Sequence, residues 1–290
     1  MSAAPEQPEK KAESTYVIDA ENAAEMARLM RQDQLLTSGM GGVFPEKIDL
    51  SEVQRVLDLA CGPGGWPLEV AYAYADMEVV GVDVSERMIA YANAQAQAQQ
   101  RTNASFRVMN ILQPLDFPDA SFDLVNARFI SAFMRPEAWP KLIQECLRVL
   151  RPGGILRFTE FEWDGANKPS FEKICALASL TLHKAGYTFS PGGYYLGLFP
   201  VLLRLFREAG LQSIGKMAHV IDFSAGTEAR DGFYYDFSSA FQLVTPFVVR
   251  MGVATEEEWR DLYRAGLAEM FEEDFCAMLF LLTVWGNKPA

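Results

Sequence analysis

Apolar positions follow one rhythm through the first half of this 290-residue chain and another through the second. From residue 54 to about 161, short apolar runs alternate with stretches of helical spacing. RVLDLA, EVVGVD, ASFRVMN, SFDLVNA and ILRFTEF read as five strands. Between them, WPLEVAYAYA, ERMIAYANAQAQAQQ and PEAWPKLIQECLRVL read as helices. Pro67 falls in a first turn, where the missing N–H does no harm. Ser85 is placed to cap the second helix, and RPGG stops the third. This βαβαβ order predicts an α/β fold with a parallel sheet covered by helices on both faces. Right-handed crossovers bring the strand ends to one edge, and ligands of such sheets sit at that edge.

The flanking regions read differently. Residues 1–15, rich in Pro, Glu, Lys and Ala, are expected to be a disordered leader. Residues 16–45 are expected to form an N-terminal helical cap with one helix over about 20–36. Asp19 would be its N-cap, Ala23, Met26, Leu29 and Met30 its apolar face, and SGMGG its end. Past residue 165 come a helical segment (167–186), an aromatic loop (YTFSPGGYYLGLF), a helix (PVLLRLFREAG) and a strand (LQSIGKMAHVIDF). Residues 225–270 look mainly helical, and CAMLFLLTVWG closes the chain as a strand. With no repeat and no interdomain linker, residues 46–290 read as one domain with helical insertions at about 165–197 and 225–270.

Composition narrows the partners. Half of the residues are hydrophobic, enough for a sizeable core. The net charge of −12 repels a phosphate backbone and an anionic membrane surface, so nucleic acid is not an expected partner. Cys61, Cys146, Cys175 and Cys276 form no CxxC pair, which fits reduced thiols in the cytoplasm. The N-terminus lacks the apolar core of a secretory signal, and no apolar run reaches the ~20 residues of a membrane span. No HExxH or similar grouping suggests a metal. The expected partner is a small-molecule substrate, with the oligomeric state left open.

The candidate chemistry centres on VLDLACGPGGW, residues 56–66. Gly62, Gly64 and Gly65 let a strand-to-helix loop turn sharply and admit a ligand close to the backbone. A dinucleotide loop uses the same device in the form GxGxxG. Here Asp58 lies inside the strand, four residues before the first glycine. A carboxylate there repels a pyrophosphate and attracts an ammonium group. Asp83 ends the second strand, twenty-one residues after Gly62, where it can accept from both hydroxyls of a ribose. An acid for an amino-acid moiety and an acid for a ribose together describe S-adenosylmethionine.

On these residues the chain resembles the class I S-adenosylmethionine-dependent methyltransferases, in particular the group that includes ubiquinone and menaquinone biosynthesis enzymes. VLDLACGPGGW, VVGVDVSERMI, DFPDASFDLVNARFI and RVLRPGG carry the resemblance in the family's order over about residues 54–160. It implies a Rossmann-like, seven-stranded, mostly parallel sheet and S-adenosylmethionine as cofactor, with S-adenosylhomocysteine as product. It also implies roles. Asp58 with the backbone of Ala60, Gly62 and Gly64 would hold the methionine part. Asp83 would bind the ribose, with Val84 and Met88 beside the adenine. Asn110 and Ile111 would meet the adenine, although the family often has aspartate at the position of Asn110. Asn126, Ala127 and Arg128 would line the floor, and Tyr16 and Gln34 of the cap would lie near the cofactor.

Methyl transfer is an in-line displacement that needs positioning above all, and a base only when the acceptor must lose a proton. Glu160 and His219 are the candidates for that proton, with His183 a third. Tyr187, Phe189, Tyr194 and Tyr195 in one insertion and Phe233, Tyr234, Tyr235, Phe237 and Phe241 in the other suggest an apolar pocket for a small, largely apolar or aromatic acceptor, methylated at O, N or C. Two other readings stay open: a nicotinamide-dependent dehydrogenase using the same loop, and a non-catalytic S-adenosylmethionine-binding scaffold.

Overall fold

A computed structural model describes residues 16–162 and 165–290. The leader expected over 1–15 lies outside the described residues. Among those described, the strands form one sheet in the order β3-β2-β1-β4-β5-β7-β6. Its parallel half consists of β1 (Arg55–Leu59), β2 (Glu78–Asp83), β3 (Ala104–Val108), β4 (Phe122–Arg128) and β5 (Leu150–Glu162). β6 (Gln212–Asp222) and β7 (Met278–Asn287) follow, with β7 antiparallel to both of its neighbours. The expected Rossmann-like α/β sheet, seven-stranded and mostly parallel, is therefore present. RPGG is the irregular opening of β5, where the pairing with β4 shifts register, and not a break before it.

Helices cover both faces because each carries an apolar side. α2 (Gly65–Ala73) and α3 (Glu86–Ala98) pack Leu68, Ile89 and Ala92 around Phe106 on one face. α4 (Trp139–Val149) and α6 (Leu198–Glu208) press Trp139, Ile143, Leu202 and Phe206 onto Val125, Leu156 and Phe158 on the other. α5 (Pro169–Lys184), α7 (Ala229–Arg250) and α8 (Glu256–Glu269) share a second core built on Phe171, Phe223, Phe237 and Trp259.

The N-terminal helix α1 runs over Ala23–Met40. Its N-cap is Asn22, which accepts from Ala24 N at 2.8 Å, whereas Asp19 accepts from Glu21 N in the turn before it. Ser38 and Gly39 lie inside the helix, and Gly41 ends it at φ +95°. The expected apolar face is also corrected. Ala23 is exposed, and the buried positions include Glu25, Arg28, Leu36 and Met40. Charged side chains can face inward here because Arg28 and Glu25 are paired, and pairing offsets the cost of burying charge.

Candidate functional site

The strand ends β1, β2 and β4 open onto a cavity of about 300 Å³, roofed by α1 and walled by α5 and α7. After Leu59 the chain turns through Ala60 at φ +53° and Gly62 at φ +54° before α2 begins. Asp83 holds this loop: Oδ2 accepts from Gly62 N at 2.9 Å, and Oδ1 accepts from Ser85 N at 2.9 Å. One carboxylate thus ties the glycine loop to the start of α3, which Ser85 caps through Met88 N. An added Cβ at Gly62 would meet only Leu29 Cδ1, at 3.9 Å, so the space over this glycine is free.

The other two loop glycines face protein. A Cβ at Gly64 would lie 2.8 Å from Phe106 Cε1 and 2.9 Å from Ala92 Cβ, and one at Gly65 would collide with the Asp33 carboxylate. The expectation that Gly64 lines the site is corrected: its φ of +83° and close packing require glycine, and it lies off the cavity wall.

Asp58 is buried on the cavity wall and accepts from Asn126 Nδ2 at 2.7 Å. Asn126 Oδ1 in turn accepts from Arg157 Nη1 at 2.7 Å, and Arg157 pairs with Glu46. A polar chain therefore runs from the cavity through β1, β4 and β5 to the loop before β1. Burial pushes the Asp58 carboxyl up to about 7, against the lowering pull of Asn126 and Arg157. Asn126 was expected on the floor of the site; it is fully buried behind Asp58 and orients it, and Ala127 likewise is core. Arg157 and Glu46 were missed. An arginine inside a strand and a glutamate 111 residues away share no sequence signal.

Ala60, Gly62, Asp83, Val84, Met88, Asn110, Ile111, Arg128 and Tyr16 all line the cavity with Asp58. Asn110 Oδ1 already accepts from Leu112 N at 2.9 Å, which leaves its second lone pair and its amide N–H groups for a ligand. Arg128 pairs with Asp33 and donates to Thr37 Oγ1 at 3.0 Å. From α1, the residues on the cavity are Arg28, Leu29, Gln32 and Asp33, spaced as one helix face. Gln34 is exposed, a correction that follows from its position about 100° round the helix from Asp33, beyond the face that meets the cavity.

The proton-transfer candidates lie elsewhere. Glu160 is fully buried and accepts from Ile130 N at 3.0 Å and from Ser131 Oγ at 2.7 Å, so it braces the segment after β4. His219 meets Thr283 Oγ1 across the β6–β7 pair at 3.1 Å, and His183 meets Thr188 Oγ1 at 2.9 Å. None of the three reaches the cavity.

The aromatic residues split as helix geometry requires. Phe237 and Phe241 stand on the cavity wall with Phe129, Phe133 and Phe247. Phe233 stacks on Phe223 at 4.5 Å in the core, while Tyr234 meets Tyr235 and Phe271 away from the cavity. In the other insertion, Tyr187 is buried beside Leu182 and Phe247, and Phe189 packs against Trp139. Tyr194 is 82% exposed. That insertion, expected to supply the pocket, contributes none of its four named aromatic rings to it.

Among the described residues, no group of three His, Cys, Asp or Glu side chains could hold a metal ion, and no helix is long and apolar enough to cross a membrane.

Residues 56–154 match the family model described as a methyltransferase domain. The chain is 35% identical over 138 residues to 27-O-demethylrifamycin SV methyltransferase of Amycolatopsis mediterranei, covering 47% of this chain and 48% of that one. It is 32% identical over 110 residues to demethylmenaquinone methyltransferase of Shouchella clausii, covering 38% and 46%. The matched region spans about half the length of these relatives. In fold, it resembles the YcgJ protein of Bacillus subtilis, with a TM-score of 0.51 at 18% identity over 82% of this chain and 93% of that one. A Haemonchus contortus phosphoethanolamine N-methyltransferase 2, solved with S-adenosylhomocysteine, gives a TM-score of 0.53 at 17% identity over 92% and 57%. Over residues 56–154 the chain is thus similar to the methyltransferase domain, and its sheet has the fold of these neighbours. These relatives are methyltransferases, which favours the S-adenosylmethionine reading of the glycines over the dehydrogenase one.

Proposed function

We propose that the protein transfers a methyl group from S-adenosylmethionine to a small, largely apolar or aromatic organic acceptor. The observation that carries this reading is the free space over Gly62, held open by the Asp83 carboxylate at the mouth of a cavity whose far wall is aromatic. The cofactor supplies a methyl group activated on a sulfonium. The chain's own residues bind and orient. Asp58 faces the ammonium of the amino-acid part, and the Asp83 carboxylate, on the cavity wall, faces the ribose hydroxyls. Val84, Met88 and Ile111 provide an apolar slot for the base, with Asn110 at its polar edge.

Residues 16–45 serve as the cap in this reading, and α1 excludes water over the reacting groups. The insertions at about 165–197 and 225–270 complete the acceptor side, chiefly through α5 and α7. The spaced cysteines favour a cytoplasmic setting. A scaffold that binds the cofactor without chemistry would show binding and no turnover. The test is incubation with methyl-labelled S-adenosylmethionine and a cell extract. Label appears in small molecules with the wild-type protein and is lost with Asp83→Ala; label that persists at the same rate in the variant refutes the site.

A further inference from the structure

One polar cluster on the cavity wall, Asp236 with Arg28 and Gln32, was not assigned to the cofactor above. α7 faces the cavity along Asp236, Phe237, Ala240, Phe241, Val244 and Phe247, the spacing of a single helix face. Every member after Asp236 is apolar, and Trp259 and Leu182 enclose the same space. Such a chamber can hold a ring but cannot orient it.

Asp236 stands at the end of this stripe where α7 meets α1, and it is buried. Its Oδ1 accepts from Arg28 Nη1 at 2.7 Å and its Oδ2 from Gln32 Nε2 at 3.1 Å. Arg28 also donates to Glu25, from Nε and Nη2 at 2.7 Å each, and Glu25 also accepts from the Tyr16 hydroxyl at 2.7 Å. Two carboxylates share one guanidinium, so the cluster carries an excess negative charge away from water. The neighbouring Arg128–Asp33 pair is neutral in itself and does not cancel it. Burial raises the proton affinity of Asp236 despite Arg28. Each of its oxygens has one donor and room for another.

The acceptor chemistry follows from that charge. An aliphatic amine beside an excess carboxylate stays protonated and has no lone pair to attack with, and an arylamine already has its lone pair and needs no base to attack. An aliphatic hydroxyl is a much weaker acid than a phenol and gains less from a carboxylate base. A phenol, with a pKa near 10 as in tyrosine, is within reach of a carboxylate whose proton affinity is raised by burial.

Building on the function proposed above, we propose that Asp236, held by Arg28 and Gln32, is the catalytic base that receives the hydroxyl proton of an apolar phenolic acceptor lodged against Phe237 and Phe241. In the step, the phenolic oxygen forms a bond to the methyl carbon as the carbon–sulfur bond breaks. The bonding pair returns to sulfur, and the phenol proton passes to Asp236.

The test measures binding to the protein loaded with S-adenosylhomocysteine, with 2-naphthol, 2-methoxynaphthalene and 2-naphthylamine as probes in titration calorimetry. The wild-type protein is expected to prefer 2-naphthol over its methyl ether by about tenfold or more, the scale of a hydrogen bond to a charged group. Asp236→Asn is expected to abolish that preference, with its S-adenosylhomocysteine affinity checking that the cavity is intact. Should the variant not fold, the wild-type comparison decides alone. Equal affinity for naphthol and ether, no binding of either, a preference that survives in Asp236→Asn, or equally tight binding of 2-naphthylamine overturns the proposal. Failure of the wild-type protein to bind S-adenosylhomocysteine itself is a separate result, and it removes the cofactor reading beneath.

Discussion

Gly62 and Gly64 lie two positions apart in one loop and do different work. Gly62 borders free space, so Gly62→Ala puts a methyl group where the cofactor would lie and should weaken S-adenosylhomocysteine binding by about tenfold or more, as read by calorimetry. Gly64→Ala drives a Cβ into Phe106 and Ala92 at a left-handed φ. It should cost about 2 kcal/mol or more of stability in denaturant unfolding while the folded fraction keeps its cofactor affinity. Asp83→Ala removes the carboxylate proposed to accept from the ribose and should weaken cofactor binding by ~1.5–3 kcal/mol. Asp58 makes binding depend on pH. Its carboxyl is raised to about 7, so it is protonated below that pH and loses its attraction for an ammonium group. S-adenosylhomocysteine affinity should therefore fall as pH drops from 8 to 6, by at most about tenfold per unit once below the carboxyl's pKa, and Asp58→Asn should flatten the profile. In the ligand-free protein the same shift acts on stability with a definite sign. The folded state holds this proton more tightly than the unfolded one, so the contribution of Asp58 to stability declines as pH rises from about 4 to about 7.

Among the elements, α1 shows how charge can fasten a helix. Arg28 joins Glu25 of its own helix to Asp236 of α7, and all three are buried. Arg28→Met leaves two carboxylates in the interior without a counter-charge and should cost ~3–5 kcal/mol, measured as a shift in the denaturant midpoint. The exposed Arg87–Glu21 pair, 4.0 Å apart, provides the contrast: Arg87→Ala should cost less than about 1 kcal/mol. The inward charges also explain why the face of α1 was misread from the pattern of apolar residues. Periodicity shows which side is hydrophobic; it has no signal for a buried side whose charges find partners more than 200 residues away.

For the whole molecule, the cavity joins the sheet edge to α1, α5 and α7, so a ligand bound there couples the cap to the sheet. S-adenosylhomocysteine at one hundred times its dissociation constant should add about 2.7 kcal/mol to global stability, seen as a rise in melting temperature, and NADH should add none. The order of strands, the glycine loop and the acids at the ends of β1 and β2 were legible in the chain because they are local: each depends on residues within a few positions and on one repeated β–α rhythm. Asp58, Gly62, Asp83, Val84, Met88 and Ile111 reach the cavity for that reason, since each sits at or just beyond a strand end. Glu160 and His219 carried the right chemistry and were set in the wrong place. Alternation along a strand cannot say which face of which neighbour a side chain will meet, and both are held within the protein by Ser131 and Thr283. The Asp58–Asn126–Arg157–Glu46 chain, the direction of Gly64 and the meeting of Arg28 with Asp236 were likewise decided only by tertiary structure. The sequence by itself determined the class of fold and the glycine loop, because short-range spacing encodes both. The aromatic wall of the cavity and the charges behind it depend on contacts between distant segments, and those exist only once the chain has closed on itself.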